Sequence, residues 1–272
     1  MPWPIHHLSG TSDGLGQQVQ AGVVIEEPLE IRIDGQPVGM LMRTPGLEKE
    51  LAAGFCLGEG LIAAIKDVAL IRHCGQATPD DDGDQLPDGE SRNRVEVALL
   101  PGAAPVRQND RPALIRSGCG RVDAPALAEG LKPVEAGVTV RLEVLQRLVG
   151  QITPQQAAYR AAGGIHAAAI LTAGGQLVVV AEDIGRHNAV DKATGYCLLR
   201  GIPLGDKLLV STGRASYDMV SKGVRLGVPI LASLSSPTSL AVELAELLNC
   251  TLVGYLRGKT LNVYAHGWRI TP

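Results

Sequence analysis

Short apolar segments alternate with amphipathic segments through the second half of the chain, and this alternation constrains the fold more than any other feature. The apolar segments have the length of strands and lie at residues 167–171, 177–180, 207–211, 229–232, 251–255 and 261–264. The amphipathic segments have helical spacing and lie at residues 142–152, 187–200, 215–225 and 238–248, with a further helix start at Thr153 and Pro154. Strands that alternate with helices predict a layered α/β sheet with helices on its faces.

The first half of the chain predicts a smaller, β-rich unit. Residues 29–33 alternate apolar and polar side chains, the pattern of a half-buried strand, and residues 38–42 repeat it after a hairpin signal, the Asp-Gly pair at 34–35. Thr44 and Pro45 are typical of an N-cap and a first helical position. Further strands are expected at residues 68–73 and 94–99.

These patterns divide the chain into four predicted parts. Residues 1–20 form a flexible tail, and residues 21–110 form the β-rich N-terminal domain, in which the acidic stretch 75–93 is a solvated, disordered loop. Residues 111–133, which are rich in Gly, Pro and Arg, form a mobile loop. Residues 134–272 form the α/β domain.

The composition excludes several classes of protein. A formal net charge of −3 gives no positive field for nucleic acid, and no segment approaches the ~20 apolar residues of a membrane span. Five cysteines, without a C-x-x-C pair, argue against a disulfide scaffold and a zinc site. The N-terminus lacks the apolar core of a signal peptide. We therefore predict a cytoplasmic protein that binds no nucleic acid, no membrane and no metal ion of its own.

Cys119 is the cysteine whose surroundings favour chemistry. It lies in RSGCGR at residues 116–121, where glycines leave the thiol uncovered and Arg116 and Arg121 favour the nucleophilic thiolate. A reactive sulfur on a flexible loop suits a carrier that visits two partners; the alternative is a loop cysteine without a function. The other cysteines stand in or beside apolar elements and are expected to be buried: Cys56, Cys74, Cys197 and Cys250.

Two polar segments follow predicted strands and open helices, a position suited to anions. The first, EDIGRHNAVDK at residues 182–192, offers Arg186 for a bidentate grip on phosphate and His187 for binding or moving a proton. A helix cap with ion pairs inside the segment is the alternative. The second, STGRAS at residues 211–216, offers small hydroxyls and Arg214.

A third cationic segment, YLRGKT at residues 255–260, separates the last two strands. Alone it is typical of a solvated basic turn, but with the two helix starts it makes three cationic loops, which we expect on one rim of the sheet. Three such loops suit a ligand with several phosphates. His166, which precedes a strand of small residues, is either a core histidine or a site residue.

Together these residues resemble the FdhD family, the formate dehydrogenase accessory sulfurtransferases, from about Glu26 to the C-terminus. The matching motifs are EEPL at 26–29, AGF at 53–55, GEG at 58–60, GIHAA at 164–168, EDIGRHNAVDK at 182–192, SSPT at 235–238 and LNVY at 261–264. The run at 182–192 is highly specific, and the ordered set is more so.

The resemblance implies a sulfur carrier. Such proteins take sulfur from a cysteine desulfurase as a cysteine persulfide and pass it to the molybdenum (or tungsten) of the bis-guanylyl molybdopterin cofactor, Mo-bisMGD, which formate dehydrogenase then uses. The implied fold is a cytidine-deaminase-like three-layer α/β C-terminal domain with a smaller β-rich α+β N-terminal domain, in a homodimer. Cys119 matches the persulfide cysteine. The expected cofactor-binding residues are Tyr255, Leu256, Arg257, Gly258, Lys259 and Thr260 from the matching segment, with Arg186, His187 and Arg214 from the two helix starts.

The sequence departs from the family at one position of the sulfur loop. Many members carry C-G-x-C-G there, whereas Val122 stands in the place of the second cysteine. This argues against a relay or a protective disulfide between two loop cysteines. A single thiolate suffices for persulfide transfer.

Two other functions compete with this interpretation. A zinc-dependent deaminase needs H-x-E or C-x-E together with P-C-x-x-C, but Asn188 and Ala189 follow His187, and residues 211–222 contain no cysteine, so no zinc is expected. A chaperone that holds the nucleotide cofactor without moving sulfur would use the same cationic loops, and the missing second cysteine favours it.

Overall fold

The computed structural model describes residues 1–7, 17–74, 92–103, 105, 125, 128–135 and 137–272. The strands are β1 (Pro2–His7), β2 (Gln17–Gly22), β3 (Glu27–Ile33), β4 (Gln36–Arg43), β5 (Val68–Cys74), β6 (Arg94–Leu99), β7 (Val140–Arg141), β8 (His166–Thr172), β9 (Leu177–Asp183), β10 (Lys207–Ser211), β11 (Ile230–Ser233), β12 (Thr251–Arg257), β13 (Thr260–Ala265) and β14 (Ile270–Thr271). The helices are α1 (Glu48–Gly58), α2 (Leu142–Ile152), α3 (Ala157–Ala162), α4 (Arg186–Leu199), α5 (Tyr217–Arg225) and α6 (Ser239–Leu247). The chain is a mixed α/β protein, as predicted.

The N-terminal sheet has four strands in the order β4, β3, β6, β5. The predicted hairpin joins β3 to β4 through Asp34 and Gly35, whose φ angles of 47° and 77° are left-handed. The buried side chains of this sheet, among them Leu29 and Val95, pack against Leu51 of α1 in one apolar cluster. The β-rich character expected for this part of the chain is confirmed.

Helix α1 begins later than predicted. Thr44 and Pro45 were expected to start it, but the helix begins at Glu48 because Gly46 and Leu47 have φ angles of 111° and 59°, outside the helical region. The Thr44 hydroxyl instead accepts a hydrogen bond from the Ile184 backbone N–H (3.3 Å). Similarly, residues from Thr153 form only a 3₁₀ turn, and Gln156, with ψ of 78°, separates it from α3.

Strands β1 and β2 form a hairpin where the sequence predicted a flexible tail. They pair over the whole of both strands, and Met1 O accepts a hydrogen bond from Val23 N–H at 2.8 Å. Gly22 packs on α3, since a Cβ there would lie 2.4 Å from the Ala161 carbonyl oxygen. The polar composition of this segment suggested a flexible tail, because backbone pairing cannot be read from side-chain composition. The predicted boundary after residue 20 therefore falls inside β2.

The main sheet has six strands in the order β13, β12, β11, β10, β8, β9. β10, β11 and β12 are parallel, and β8 runs antiparallel to both of its neighbours, β10 and β9. Strands β9, β10, β11 and β12 therefore run in the same direction and end at one edge. The loops predicted to carry cations follow the ends of three of these strands.

Helices cover both faces of the main sheet. One apolar cluster joins α4, α5 and α6 to the sheet, through side chains such as Val190, Val220 and Leu244. A second cluster packs α2 on the opposite face, through Leu145 and Leu148. The sheet thus lies between two helical layers.

The two sheets are joined by direct backbone contact between α1 and α4. A Cβ on Gly195 would lie 1.8 Å from the Glu50 carbonyl oxygen, and one on Gly54 would lie 2.0 Å from the Asp191 carbonyl oxygen. Only glycine permits such an approach. The contact fixes the N-terminal sheet against the helical layer next to the predicted site, while the division into domains at 110 and 134 stays a prediction.

Candidate functional site

The candidate site lies at the edge where the four co-directional strands of the main sheet end, which we call the carboxyl rim. The carboxyl rim consists of His166 at the start of β8 and of residues 183–187, 211–216, 233–238 and 255–260. The topology therefore brings all three predicted cationic loops to one edge of the sheet. Ligands of open α/β sheets bind at such edges.

Two loops of the carboxyl rim are tied together by their backbones. Ala215 donates its N–H to Ser236 O (3.1 Å) and accepts from Thr238 N–H (3.0 Å). The buried Ser233 hydroxyl donates to Gly213 O at 2.6 Å. These hydrogen bonds hold the loop after β10 against the loop after β11. They fix the backbone on both sides of Arg214, whose side chain is exposed.

Arg186 lies directly over the loop after β10. A Cβ on Gly213 would be 2.7 Å from Cβ and 2.8 Å from Cδ of Arg186, so the stem of the arginine packs on bare backbone. His187 lies beside it, with Nε2 at 3.8 Å from an Asp218 carboxylate oxygen. The structure therefore brings Arg186, His187 and the Arg214 loop together.

Other residues of the segment 182–192 form hydrogen bonds and an ion pair inside the fold. The fully buried Asp183 carboxylate accepts hydrogen bonds from Gly185 N–H and Asn188 Nδ2, both at 2.9 Å, and from Thr44 N–H at 3.2 Å. It also pairs with Lys192 Nζ at 2.7 Å. Asp183 thus fixes the loop that leads into the first turn of α4, which carries Arg186 and His187.

A second buried ionic cluster links α4, α5 and α1. Lys222 Nζ lies 2.6 Å from Asp191 Oδ2 and 3.1 Å from Glu59 Oε1. Burial raises the pKa of Asp191 to about 6. Burial also opposes the charge of Lys222, but the two carboxylates outweigh it and raise the pKa of this ammonium. Lys222 was not predicted as a structural residue, because nothing in the sequence pairs it with residues so far away.

The segment 255–260 projects beyond the last parallel strand. Tyr255 has a left-handed φ of 50°, its N–H donates to Ser235 O (3.0 Å), and its ring lies 5.4 Å from the Arg257 guanidinium. Lys259 is exposed, and its carbonyl oxygen accepts from Gln146 Nε2 at 3.0 Å. The Leu256 side chain is fully buried in the core, so a ligand could contact this residue only through its backbone.

Four of the five cysteines are buried, as predicted. Burial raises the pKa of Cys56 and Cys250 to about 12 and that of Cys197 to about 11. These thiols stay protonated at neutral pH and are poor nucleophiles. Cys119, with Arg116, Arg121 and Val122, lies outside the described residues.

The described residues contain neither a metal-binding cluster nor a membrane-spanning helix. Within those ranges, no cluster of three or more His, Cys, Asp or Glu side chains is arranged to hold a metal ion. No helix there is both long enough and apolar enough to cross a membrane.

The fold and the carboxyl rim define a mixed α/β protein whose cationic loops gather where the strands of its main sheet end. The family model of the FdhD/NarQ family matches residues 24–271, so the chain belongs to that family and the resemblance is confirmed. It is 42% identical to a sulfur carrier protein FdhD from Nocardia farcinica, covering 92% of this chain and 88% of the relative. It is 39% identical to a protein of the same name from Mycobacterium tuberculosis, covering 92% and 91%.

A solved structure gives the same result for the fold. A crystal structure from Desulfotalea psychrophila, of a protein described as a formate dehydrogenase accessory protein, superimposes with a TM-score of 0.77 at 25% sequence identity. The match covers 100% of this chain and 99% of the other.

Proposed function

We propose that this protein is a sulfurtransferase that accepts sulfane sulfur from a cysteine desulfurase as a persulfide on Cys119 and transfers it to Mo-bisMGD, for use by formate dehydrogenase. One observation carries the proposal for this chain: the four described cysteines are buried. In a family whose relatives are named sulfur carriers, Cys119 is then the cysteine left to carry sulfur.

The acceptance step is a thiol exchange. The Cys119 thiolate attacks the outer sulfur of the desulfurase persulfide, a new S–S bond forms on Cys119, and the desulfurase cysteine leaves as a thiolate. Arg116 and Arg121 favour the attacking thiolate by their positive charge. The step needs no second cysteine, in agreement with Val122.

In the release step the S–S bond breaks and Cys119 leaves as a thiolate with the bonding pair. The sulfane sulfur becomes a sulfido ligand by taking two electrons from the reduced metal of the substrate.

The carboxyl rim holds that substrate by its phosphates, through Arg186, His187, Arg214, Arg257 and Lys259. In the segment 255–260, Tyr255, Gly258 and Thr260 complete the cofactor-binding surface, with Leu256 contributing backbone only.

The same proposal extends to the setting of the protein. We expect a cytoplasmic homodimer that meets a cysteine desulfurase and formate dehydrogenase, with a deaminase-like C-terminal domain that has lost the zinc chemistry of deaminases. The strand order and two helical layers of the main sheet support that likeness.

Incubation with a cysteine desulfurase and free cysteine is expected to add the mass of one sulfur atom to the peptide that contains Cys119. The reason is that only an uncovered, ionised thiol can attack the desulfurase persulfide. Mass spectrometry of the digested protein measures the gain, and dithiothreitol should remove it. Sulfur found on the peptides of Cys56, Cys74, Cys197 or Cys250 but not on that of Cys119 would contradict the proposal.

Changing Arg257 and Lys259 together to alanine is expected to weaken the binding of guanosine diphosphate, one arm of the cofactor, at least about tenfold, because each cation removed is a charge-assisted phosphate contact. Isothermal titration calorimetry measures the affinity. The matched control replaces Lys49 and Lys66, two exposed lysines away from the carboxyl rim, and should bind like the wild type. Equal affinities in all three proteins would remove the segment 255–260 from the site.

A further inference from the structure

His166 occupies a position in the carboxyl rim that the proposed function does not use. It is the first residue of β8 and pairs across the sheet with Asp183, the last residue of β9. Gly163 and Gly164 precede it with left-handed φ angles of 65° and 62°, so the chain turns sharply into the strand. The partly buried imidazole therefore stands where the neighbouring strands leave the sheet.

A single hydroxyl holds the imidazole ring. Nδ1 of His166 lies 3.3 Å from Thr212 Oγ1, and that oxygen accepts the Ala167 backbone N–H at 2.9 Å. Thr212 is thereby fixed to the backbone beside the histidine it touches. Among the described residues, no hydrogen bond involves Nε2 of His166, which leaves that nitrogen for a ligand.

The electrostatic setting keeps the free ring neutral. Burial, and next the positive charge of Arg186, lower the pKa of His166 below its ordinary value. Of the other ionisable groups of the neighbouring elements, Asp183 pairs with Lys192 at 2.7 Å, Glu182 accepts from the backbone N–H groups of Ala158 and Tyr159, His187 lies 3.8 Å from Asp218, and Arg214 is exposed on the loop after β10. Arg186 is therefore the charge that the ring experiences most strongly.

We propose that His166 is a substrate-contacting residue of the carboxyl rim, which takes up a proton from solvent when a phosphate group binds beside Arg186, and whose Nε2–H then donates a hydrogen bond to a phosphate oxygen. The proposal rests on the proposed function, because the ligand is the phosphate-bearing arm of the cofactor. An anion bound there reverses the field of Arg186 and favours the imidazolium form. No bond other than the N–H bond forms or breaks.

Proton uptake is measured by titrating guanosine diphosphate into the protein in buffers with different ionisation enthalpies, near neutral pH. The wild type is expected to take up a fraction of a proton per ligand. His166→Gln should lose this uptake and bind about tenfold more weakly, the loss of one charge-assisted hydrogen bond. The control His73→Gln changes a histidine of the N-terminal sheet that contacts Arg92 O, and should keep both properties.

A second measurement does not depend on the folding of a variant. In the wild-type protein, the imidazole signal of His166 in an NMR pH titration should shift to a higher pKa when guanosine diphosphate is added. An unchanged pKa, or a His166→Gln variant with wild-type affinity and uptake, overturns the inference alone and leaves the proposed function standing. A wild type that binds no guanosine diphosphate overturns this inference and the phosphate-binding part of the proposed function together.

Discussion

Replacing Cys119 by alanine is expected to reduce sulfur loading and formate dehydrogenase activity to background. The physical reason is that none of the four described cysteines can take over its role: burial raises the pKa of Cys56, Cys197 and Cys250 far above neutral pH, and Cys74 is buried at the end of β5. Without a thiolate at position 119, nothing attacks the desulfurase persulfide. The measurements are the sulfur mass gain in vitro and enzyme activity in a strain that lacks this protein.

The control for this experiment is Cys74→Ala, which removes a buried thiol and should keep both sulfur loading and activity. Equal melting temperatures of wild type and Cys119→Ala separate loss of chemistry from loss of fold. Restoration of formate dehydrogenase activity by Cys119→Ala would contradict the proposal that sulfur is transferred through this residue. The chaperone function, which needs only the carboxyl rim to hold the cofactor, would then take its place.

Periodic side-chain patterns predicted most of the fold, because burial of one face imposes a period that the sequence must carry. Helix α2 has the predicted bounds, residues 142–152, and the strands and helices after it lie within a few residues of their expected positions. The hairpin signal at Asp34 and Gly35 was equally direct. Such elements depend on local chemistry and on one buried face, and both are visible in the sequence.

What the sequence did not show depends on contacts between distant segments. The hairpin of β1 and β2 is held by hydrogen bonds between backbone groups, and these do not require a recognisable pattern of side chains. Helix α1 begins at Glu48 because Gly46 and Leu47 have positive φ angles, and Thr44 instead accepts a hydrogen bond from Ile184, 140 positions away. In the segment 182–192 the sequence offered Arg186 and His187 for an anion, but it did not show that Asp183 forms a buried pair with Lys192 and accepts a hydrogen bond from the distant Thr44.

Replacing Lys222 by methionine is expected to destabilise the protein by about 3–5 kcal/mol, the cost of breaking a buried ion pair by removing one partner. The Lys222 ammonium forms ion pairs with Asp191 and Glu59, and the lysine side chain is only 3% exposed. Its loss leaves a buried carboxylate on α4 facing another from α1, at the place where the helices join the two sheets. Urea unfolding measures the change, and Lys66→Met, an exposed lysine, should change stability by less than about 0.5 kcal/mol.

The same cluster predicts an order among variants and a dependence on pH. Asp191→Asn should lower the free energy of unfolding by less than Lys222→Met does, because Lys222 keeps its ion pair with Glu59 at 3.1 Å. The double variant should recover part of the stability that Lys222→Met loses. Burial already raises the pKa of Asp191 to about 6, and loss of Lys222 raises it further. A carboxyl group whose pKa is higher in the folded state binds more protons there, so stability falls as pH rises through that pKa. The loss of stability caused by Lys222→Met should therefore become smaller as the pH is lowered from alkaline to mildly acidic values. A loss of stability that does not depend on pH would show that Asp191 is not left charged.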